Sequence, residues 1–455
     1  MFIPAGLFAG VALLYLAIPT RVLYWDGAGF ALAVDHPGWF KMIEPNHPIY
    51  IGFGWAVHAL APWTLGITVL QALNAVLGAC AVLMIYALRQ SRWPVLQACL
   101  FAFSATWWKF STDADAYVPS VLLLLVAAFL LMPDRPARPI VVALVHTFAM
   151  LFHELAVLFT VPALIALSGQ GGGIAQYLVT AFAATSAAYF LCFHFATGQW
   201  GLAEYWHWIT WHTPDSSFSF NVARNAWLSL RGTARLFVGG KFGQFHSGFL
   251  ELAILLALVG VGALFVLKAE PATERPRPTA FLVSWIAVYV VFLFFWLPQN
   301  TFYRLFYLPP VILLLRGRPR VLYAALCLLG AWNYLFYIHP DSLVQANPLV
   351  VAGQTMRAVW KPGTWVYLGS FNADNWTVFC FDPQVNFKNL DRRTLAAEIE
   401  EFARAGRETW IDQSGIDLLS SDPAGRQWLA EHTRPGFRRT FPDPKHRISF
   451  DRLFP

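Results

Sequence analysis

Four short stretches bring together residue types able to run acid–base and phosphate chemistry. Asp26 stands in Tyr24-Trp-Asp-Gly-Ala-Gly-Phe30, and Asp35-His36 and Glu44-Pro-Asn-His47-Pro48 follow it. Lys109, Asp113, Asp115 and Tyr117 fall within eleven positions of one another, His153-Glu154 stand together, and Gln299, Asn300, Tyr303 and Arg304 close the set. A carboxylate can take a proton from an acceptor hydroxyl. Lys or Arg can hold a phosphate leaving group. Each residue also has a plainer reading. Asp26 or Asp113 could cap a helix, with Thr112 competing at the second site. His36, His47 and His153 could be hydrogen-bonded structural groups, Glu154 could satisfy a break in its own helix, and Arg304 could snorkel to an interface. His153-Glu154 lacks the second His of HExxH, which argues against a zinc protease.

The elements that hold these residues are apolar. The chain has 455 residues, 57% hydrophobic and 13% charged, with mean hydropathy +0.50. Soluble domains run near 45–50% apolar and about 25% charged. That gap excludes a single soluble domain, and disorder needs the opposite bias. Residues 1–338 hold 18 Lys and Arg and 12 Asp and Glu; residues 339–455 hold 14 of each. The net charge of +6 therefore belongs to the apolar part, where basic residues report topology and not a nucleic-acid partner. The five Cys form no CxxC, so neither a zinc nor a redox motif is expected.

Runs long enough to cross a bilayer fall at 2–20, 66–88, 95–111, 116–132, 140–168, 175–195, 248–268, 279–298, 305–316 and 321–338, with a shorter one at 48–64. The first has no basic leader or cleavage site and reads as a retained anchor. Basic clusters at 89–92, 134–138, 268–277 and 316–320 place those loops in the cytoplasm. The loops 22–47, 112–116, 196–247 and 299–304 and the tail then lie outside. This parity requires 140–168 to break near Phe152-His153-Glu154 and 48–64 to be re-entrant or interfacial. The aromatic loop 196–247, with Trp200, Trp206 and Trp227, suits the headgroup level; a stacking surface for a sugar or lipid is the other reading. The tail shows strand character at Thr364–Leu368, Thr377–Cys380 and Glu408–Asp412 and helical patterning at Arg393–Ala405 and Pro423–His432, which predicts a small α/β domain. It lacks GxGxxG and GxxxxGK[ST], so nucleotide binding is not expected there. Asn375-Trp-Thr377 is a glycosylation sequon, a weak signal by itself.

The order of these motifs resembles the GT-C superfamily of polyprenyl-phosphate-dependent glycosyltransferases, and within it the protein O-mannosyltransferase and aminoarabinose transferase branch. The matching features are Asp26 after the first span, His47-Pro-Ile-Tyr-Ile-Gly52, Ser111-Thr-Asp-Ala-Asp-Ala-Tyr117 before a Leu-rich span, and Phe152-His153-Glu-Leu before Val161-Pro-Ala-Leu164. The first loop departs from the pattern, since Asp26-Gly27 replaces an Asp-Glu or Asp-x-x-Tyr pair. The resemblance implies an all-α polytopic membrane domain over 1–338, with about ten to twelve spans, and an extracytoplasmic accessory α/β domain over 339–455. It implies inverting transfer of a sugar from a polyprenyl-phosphate donor to a hydroxyl on a glycan, lipid or protein, on the non-cytoplasmic face of a bacterial inner membrane. Asp26 would be the general base, with Asp113 the other catalytic candidate. His47, Lys109, Asp115, Tyr117, His153, Glu154, Gln299 and Arg304 would bind substrate. No cofactor or metal is expected; Asp113 and Asp115 would be ligands only if the chain leaned to the oligosaccharyltransferase branch. A transporter or flippase, or a membrane scaffold without activity, is the alternative. No internal repeat supports the transporter, and the scaffold has no need of Asp26, Asp113, His153 and Arg304.

Overall fold

The computed structural model describes residues 2–38, 42–88, 92–132, 138–169, 172–210, 218–240, 260, 278–315, 318–370, 373–382, 384–441 and 448–455. The expected span 248–268, apart from residue 260, and most of the four basic loops lie outside these residues. The chain forms two compact units. The first comprises Met1–Thr20, Lys41–Gly54 and Gln71–Pro340; the second comprises Arg21–Phe40, Trp55–Leu70 and Asp341–Pro455.

Most described helices of the first unit follow the apolar runs. The unit holds α1 (Phe2–Ala17), the start of α3 (Tyr50–His58), most of α4 (Gly66–Leu88), α5 (Pro94–Ala102), α6 (Ala105–Ser111), α7 (Tyr117–Leu130), α8 (Pro139–Phe152), α9 (Thr160–Leu167), α10 (Gly173–Thr197), α11 (Leu202–Thr210), α12 (Val222–Phe237), α13 (Thr279–Phe295), α14 (Leu308–Leu314) and α15 (Pro319–Asn333); α2 (Trp25–Asp35) belongs to the second unit. Pro opens α5, α8 and α15, where its missing N–H costs nothing. Gly66–Leu88, Gly173–Thr197 and Pro319–Ser342 are long and apolar enough to cross a membrane, and shorter apolar helices accompany them.

Three local differences from the sequence reading matter. The run 95–111 is two helices, parted at Phe103-Ser104. The loop 22–47 contains α2, and the aromatic loop contains α11 and α12. Both loop helices are amphipathic, exposing Leu202, Trp206, Val222, Trp227 and Leu230 on their outer faces. Such helices suit an interface plane.

The expected break in 140–168 is present. α8 ends at Phe152, a 3₁₀ segment covers Glu154–Phe159, and α9 resumes at Thr160. Irregular backbone at membrane depth survives only inside protein with its polar groups satisfied. The carbonyls of Ala149, Met150 and Phe152 accept from Ser120 Oγ, Tyr189 OH and His47 Nδ1 at 2.8, 2.9 and 3.0 Å. Those of Leu155 and Ala156 accept from Tyr289 OH and His146 Nε2 at 3.1 and 2.8 Å. The Glu154 N–H donates to Asn46 O, and Ile49 N–H donates to Leu151 O. Side chains from four different helices and the His47 loop thus hold one bend.

The second unit is built on a five-stranded sheet of order β2-β1-β3-β5-β4. Its strands are β1 (Trp365–Leu368), β2 (Asn386–Asn389), β3 (Thr409–Asp412), β4 (Thr433–Phe441) and β5 (Ile448–Leu453). β1 pairs in parallel with β2 and β3, while β5 joins β3 and β4 antiparallel. Tyr367, Leu395, Ile399, Ile411, Ile416, Leu419, Leu429 and Leu453 form its core. One expected strand is corrected: Thr377–Cys380 belongs to the end of a helix, Ala373–Phe379. A short apolar run has no periodicity to separate strand from helix. Here it packs on α2, with Cys380 Sγ donating to Ala28 O. The ends of β1 and β3, where a parallel sheet commonly binds ligands, are filled internally. Gly369 N–H donates to both Asp412 Oδ1 and Ser414 Oγ, and Ser370 N–H donates to Ser414 Oγ.

Candidate functional site

Within the first unit the sequence candidates fall into three adjoining groups. In the first, Lys109 Nζ lies 3.3 Å from Asp113 Oδ2, one helical turn on, and both side chains are buried. Lys109 also donates to Thr20 Oγ1 at 2.5 Å. The Asp113 and Asp115 carbonyls accept from Asn74 Nδ2 at 2.8 and 2.7 Å, and the same amide reaches Tyr50 OH at 3.1 Å. Their carboxylates turn back on the next residue, Asp113 Oδ1 taking Ala114 N–H and Asp115 Oδ1 taking Ala116 N–H. Asp113 does not cap α7, whose N-cap is Ala116 with no side-chain bond. Thr112 closes α6 instead, donating back to its carbonyls. Lys109 is therefore committed to a carboxylate, and Asp113 to a cation.

The second group is aromatic. The His47 and His153 rings stand edge to face at 4.7 Å, and Tyr117 lies 4.9 Å from His153. Tyr303 and Phe306 close around His153 at 5.7 and 5.0 Å. Leu155 N–H donates to His153 Nδ1 at 3.1 Å. This nitrogen must carry a lone pair, so the hydrogen of the neutral ring sits on Nε2. His153 is a fixed donor there, not a base. Glu154, its neighbour, is exposed.

Arg304 is the third. It lies in the 3₁₀ segment Phe302–Phe306 and is 1% exposed, which excludes the snorkelling reading. Nη1 donates to Tyr307 OH at 2.9 Å and Nη2 to Pro298 O at 2.6 Å. Tyr307 OH is in turn 3.2 Å from Thr233 Oγ1. Nε has no hydrogen-bond partner among the described residues. No carboxylate among the described residues pairs with this guanidinium. A guanidinium does not lose its charge, and a buried, unpaired charge costs several kcal/mol. Gln299, one residue beyond Pro298, is exposed. The groups are contiguous, since Tyr117 packs on Phe302 and Tyr303 next to Arg304, and Phe110, next to Lys109, packs on Tyr117 and Phe302.

Asp26 belongs to the second unit. It occupies the first turn of α2, half-buried, while the N-cap position is Tyr24, which makes no side-chain cap bond. A negative charge there is favoured by the helix dipole. In the same unit Asp35, which sequence reasoning did not single out as catalytic, accepts Gly66 N–H at 2.7 Å and lies 3.8 Å from His58 Nε2. Burial pushes its carboxyl up to about 6. Gly66 is required by this approach: a Cβ there would stand 2.5 Å from the Ala31 carbonyl oxygen. Among the described residues, no group of three or more His, Cys, Asp or Glu side chains could hold a metal ion.

The chain has the fold of a solved structure that it resembles over almost its whole length. The crystal structure of ArnT from Cupriavidus metallidurans bound to undecaprenyl phosphate superposes with a TM-score of 0.60 at 12% identity, covering 98% of this chain and 97% of that one. The archaeal oligosaccharyltransferase AglB from Archaeoglobus fulgidus, in complex with an inhibitory peptide and a dolichol-phosphate, gives a TM-score of 0.46 at 12% identity, over 98% of this chain and 75% of that one. No protein-family model and no curated protein sequence matches the chain.

Proposed function

We propose that the protein is a membrane glycosyltransferase that moves a sugar from a polyprenyl-phosphate carrier to a hydroxyl acceptor. The observation that supports this most directly is Arg304: a fully buried guanidinium, with Nε lacking a partner, in a fold whose ArnT representative binds undecaprenyl phosphate. Arg304 would hold the phosphate as it leaves, with charge-assisted hydrogen bonds to its oxygens. The neutral His153, a donor at Nε2, and Tyr117 would bind polar groups of the substrate, and His47 would hold the bend that aims His153. Lys109 would act through its pair with Asp113, keeping the 109–115 segment rigid.

Asp26 is proposed as the general base, taking the proton of the acceptor hydroxyl as that oxygen attacks the anomeric carbon. The bond to the phosphate oxygen breaks, configuration inverts, and the carrier phosphate departs with the electron pair. Transfer on the non-cytoplasmic face of an inner membrane, with the tail as an accessory domain on that side, completes the reading. It rests on the motif order and on the basic-loop pattern. No metal is assigned a role.

The test uses purified full-length protein in detergent. Polyprenyl phosphate should bind the wild type and raise its melting temperature, and Arg304→Ala should weaken binding about 10–100-fold, the loss expected for a charge-assisted bond. A wild-type protein indifferent to polyprenyl phosphate would refute the proposal.

A further inference from the structure

Helix α12 turns one face toward the Arg304 segment, and that face is not what an inward face ordinarily is. Asn225, Ser229, Gly232 and Leu236 recur on it at helical spacing, and only Leu236 is a large apolar residue. Asn225 is 0% exposed; its Nδ2 donates to Ser219 O, but its Oδ1 has no partner among the described residues. Ser229 Oγ is buried and also without a partner among them. Gly232 brings the helix backbone against the guanidinium, where a Cβ would stand 2.4 Å from Arg304 Nε. The same Nε is the orphaned donor of Arg304. Buried polar groups are nearly always hydrogen-bonded, and three exceptions along one seam call for a common cause. The outer face differs in kind, with Val222, Trp227 and Leu230 exposed beside Arg224 and Arg231.

The chemistry of the three atoms orders the seam. Arg304 Nε and Ser229 Oγ can both donate to anionic oxygens. Asn225 Oδ1 can only accept, so it suits a hydroxyl and would repel a phosphate oxygen. We infer that α12 supplies the second wall of the carrier-phosphate seat, with Ser229 donating to the phosphate that Arg304 holds and Gly232 permitting the helix to close on the guanidinium. This rests on the polyprenyl-phosphate reading above and adds to it two residues outside the motifs that suggested it.

The experiment measures polyprenyl phosphate affinity and ligand-free melting temperature for full-length wild type, Ser229→Ala, Ser229→Thr and Gly232→Ala. Ser229→Ala deletes a hydroxyl with no partner among the described residues, so a merely structural role predicts an unchanged or raised melting temperature and unchanged affinity. The inference predicts affinity about tenfold weaker in Ser229→Ala without loss of melting temperature, recovery in Ser229→Thr, and at least tenfold weakening in Gly232→Ala. If Ser229→Ala and Gly232→Ala bind like wild type while Arg304→Ala does not, the α12 wall is overturned and the donor reading stands. If the wild type itself does not bind, both fall.

Discussion

At the residue scale the sequence marked Lys109 and Arg304 alike as phosphate-binding candidates and Asp113 as a second catalytic one, and the structure separates them. Lys109 and Asp113 neutralise each other, whereas Arg304 is buried with no carboxylate among the described residues. A sequence cannot show this difference, because pairing depends on which turn of which helix faces which. Asp26 was visible as a lone carboxylate after the first span, and the structure removes the N-cap alternative by placing the cap at Tyr24. Asp26→Asn keeps size and most hydrogen bonding but cannot take a proton. It should cost about 10²–10⁴ in transfer rate with carrier binding intact, checked by parallel turnover and binding measurements. Near-wild-type turnover would show that Asp26 is not the base. Asp35 was in plain view but its partner, Gly66, lies 31 positions on. Its folded pKa of about 6 is above the ordinary carboxylate value of 3.8. A raised folded pKa stabilises the protein fully below the unfolded value, and that contribution is lost as pH rises through the folded one. The loss should therefore run between about pH 4 and 6, amounting to about 3 kcal/mol by order of magnitude. Asp35→Asn should flatten melting temperature against pH in that window, and an unaltered pH profile would contradict the assignment.

At the element scale the break in 140–168 was legible, because membrane parity demanded an even number of crossings and His153-Glu154 placed a carboxylate in the run. Its support was not legible. Ser120, His146, Tyr189 and Tyr289 look like ordinary interior residues until their hydroxyls and ring nitrogen are seen on the freed carbonyls. His146 is held at both nitrogens, by Ala156 O and by Tyr177 OH, and is a clamp. Tyr289→Phe, which leaves the Leu155 carbonyl buried and unmet, should destabilise by about 1–3 kcal/mol, seen as a lower melting temperature in detergent. The double change Tyr189→Phe, Tyr289→Phe should also lower the affinity for substrate by loosening His153. α12 was missed because its apolar positions alternate with Arg, Asn and Ser in a way that reads as a polar loop when the membrane signal is sought in windows of about 20 residues. The strand expected at 377–380 failed for a related reason, since four buried residues carry no period.

At the scale of the whole molecule the apolar helical part and the α/β tail followed from composition, and the fold shared with ArnT agrees with the motif order. What composition could not show is that Arg21–Phe40 and Trp55–Leu70, from the apolar part of the chain, belong to the same compact unit as the tail. Contacts such as Cys380 with Ala28, and Asn347 Nδ2 with Arg21 O, join residues more than 300 positions apart, and no local pattern encodes them. The basic loops predict that Arg92 and Arg138 face the cytoplasm and that Ser370 lies on the opposite side. Single cysteines at these positions, labelled in intact and in permeabilised cells, should divide accordingly, and a cytoplasmic label at 370 would overturn the topology.

The central proposal is that Arg304, buried and with no carboxylate partner among the described residues, seats the carrier phosphate. It is tested most directly by polyprenyl phosphate binding to purified full-length wild type, Arg304→Ala and Asp26→Asn. The account predicts equal affinity for wild type and Asp26→Asn, and affinity about 10–100-fold weaker for Arg304→Ala. Arg304→Ala also leaves the buried Pro298 carbonyl and the Tyr307 hydroxyl without their donor, so its ligand-free melting temperature should fall, and affinity is compared on the folded fraction. Arg304→Ala binding as tightly as wild type would contradict it.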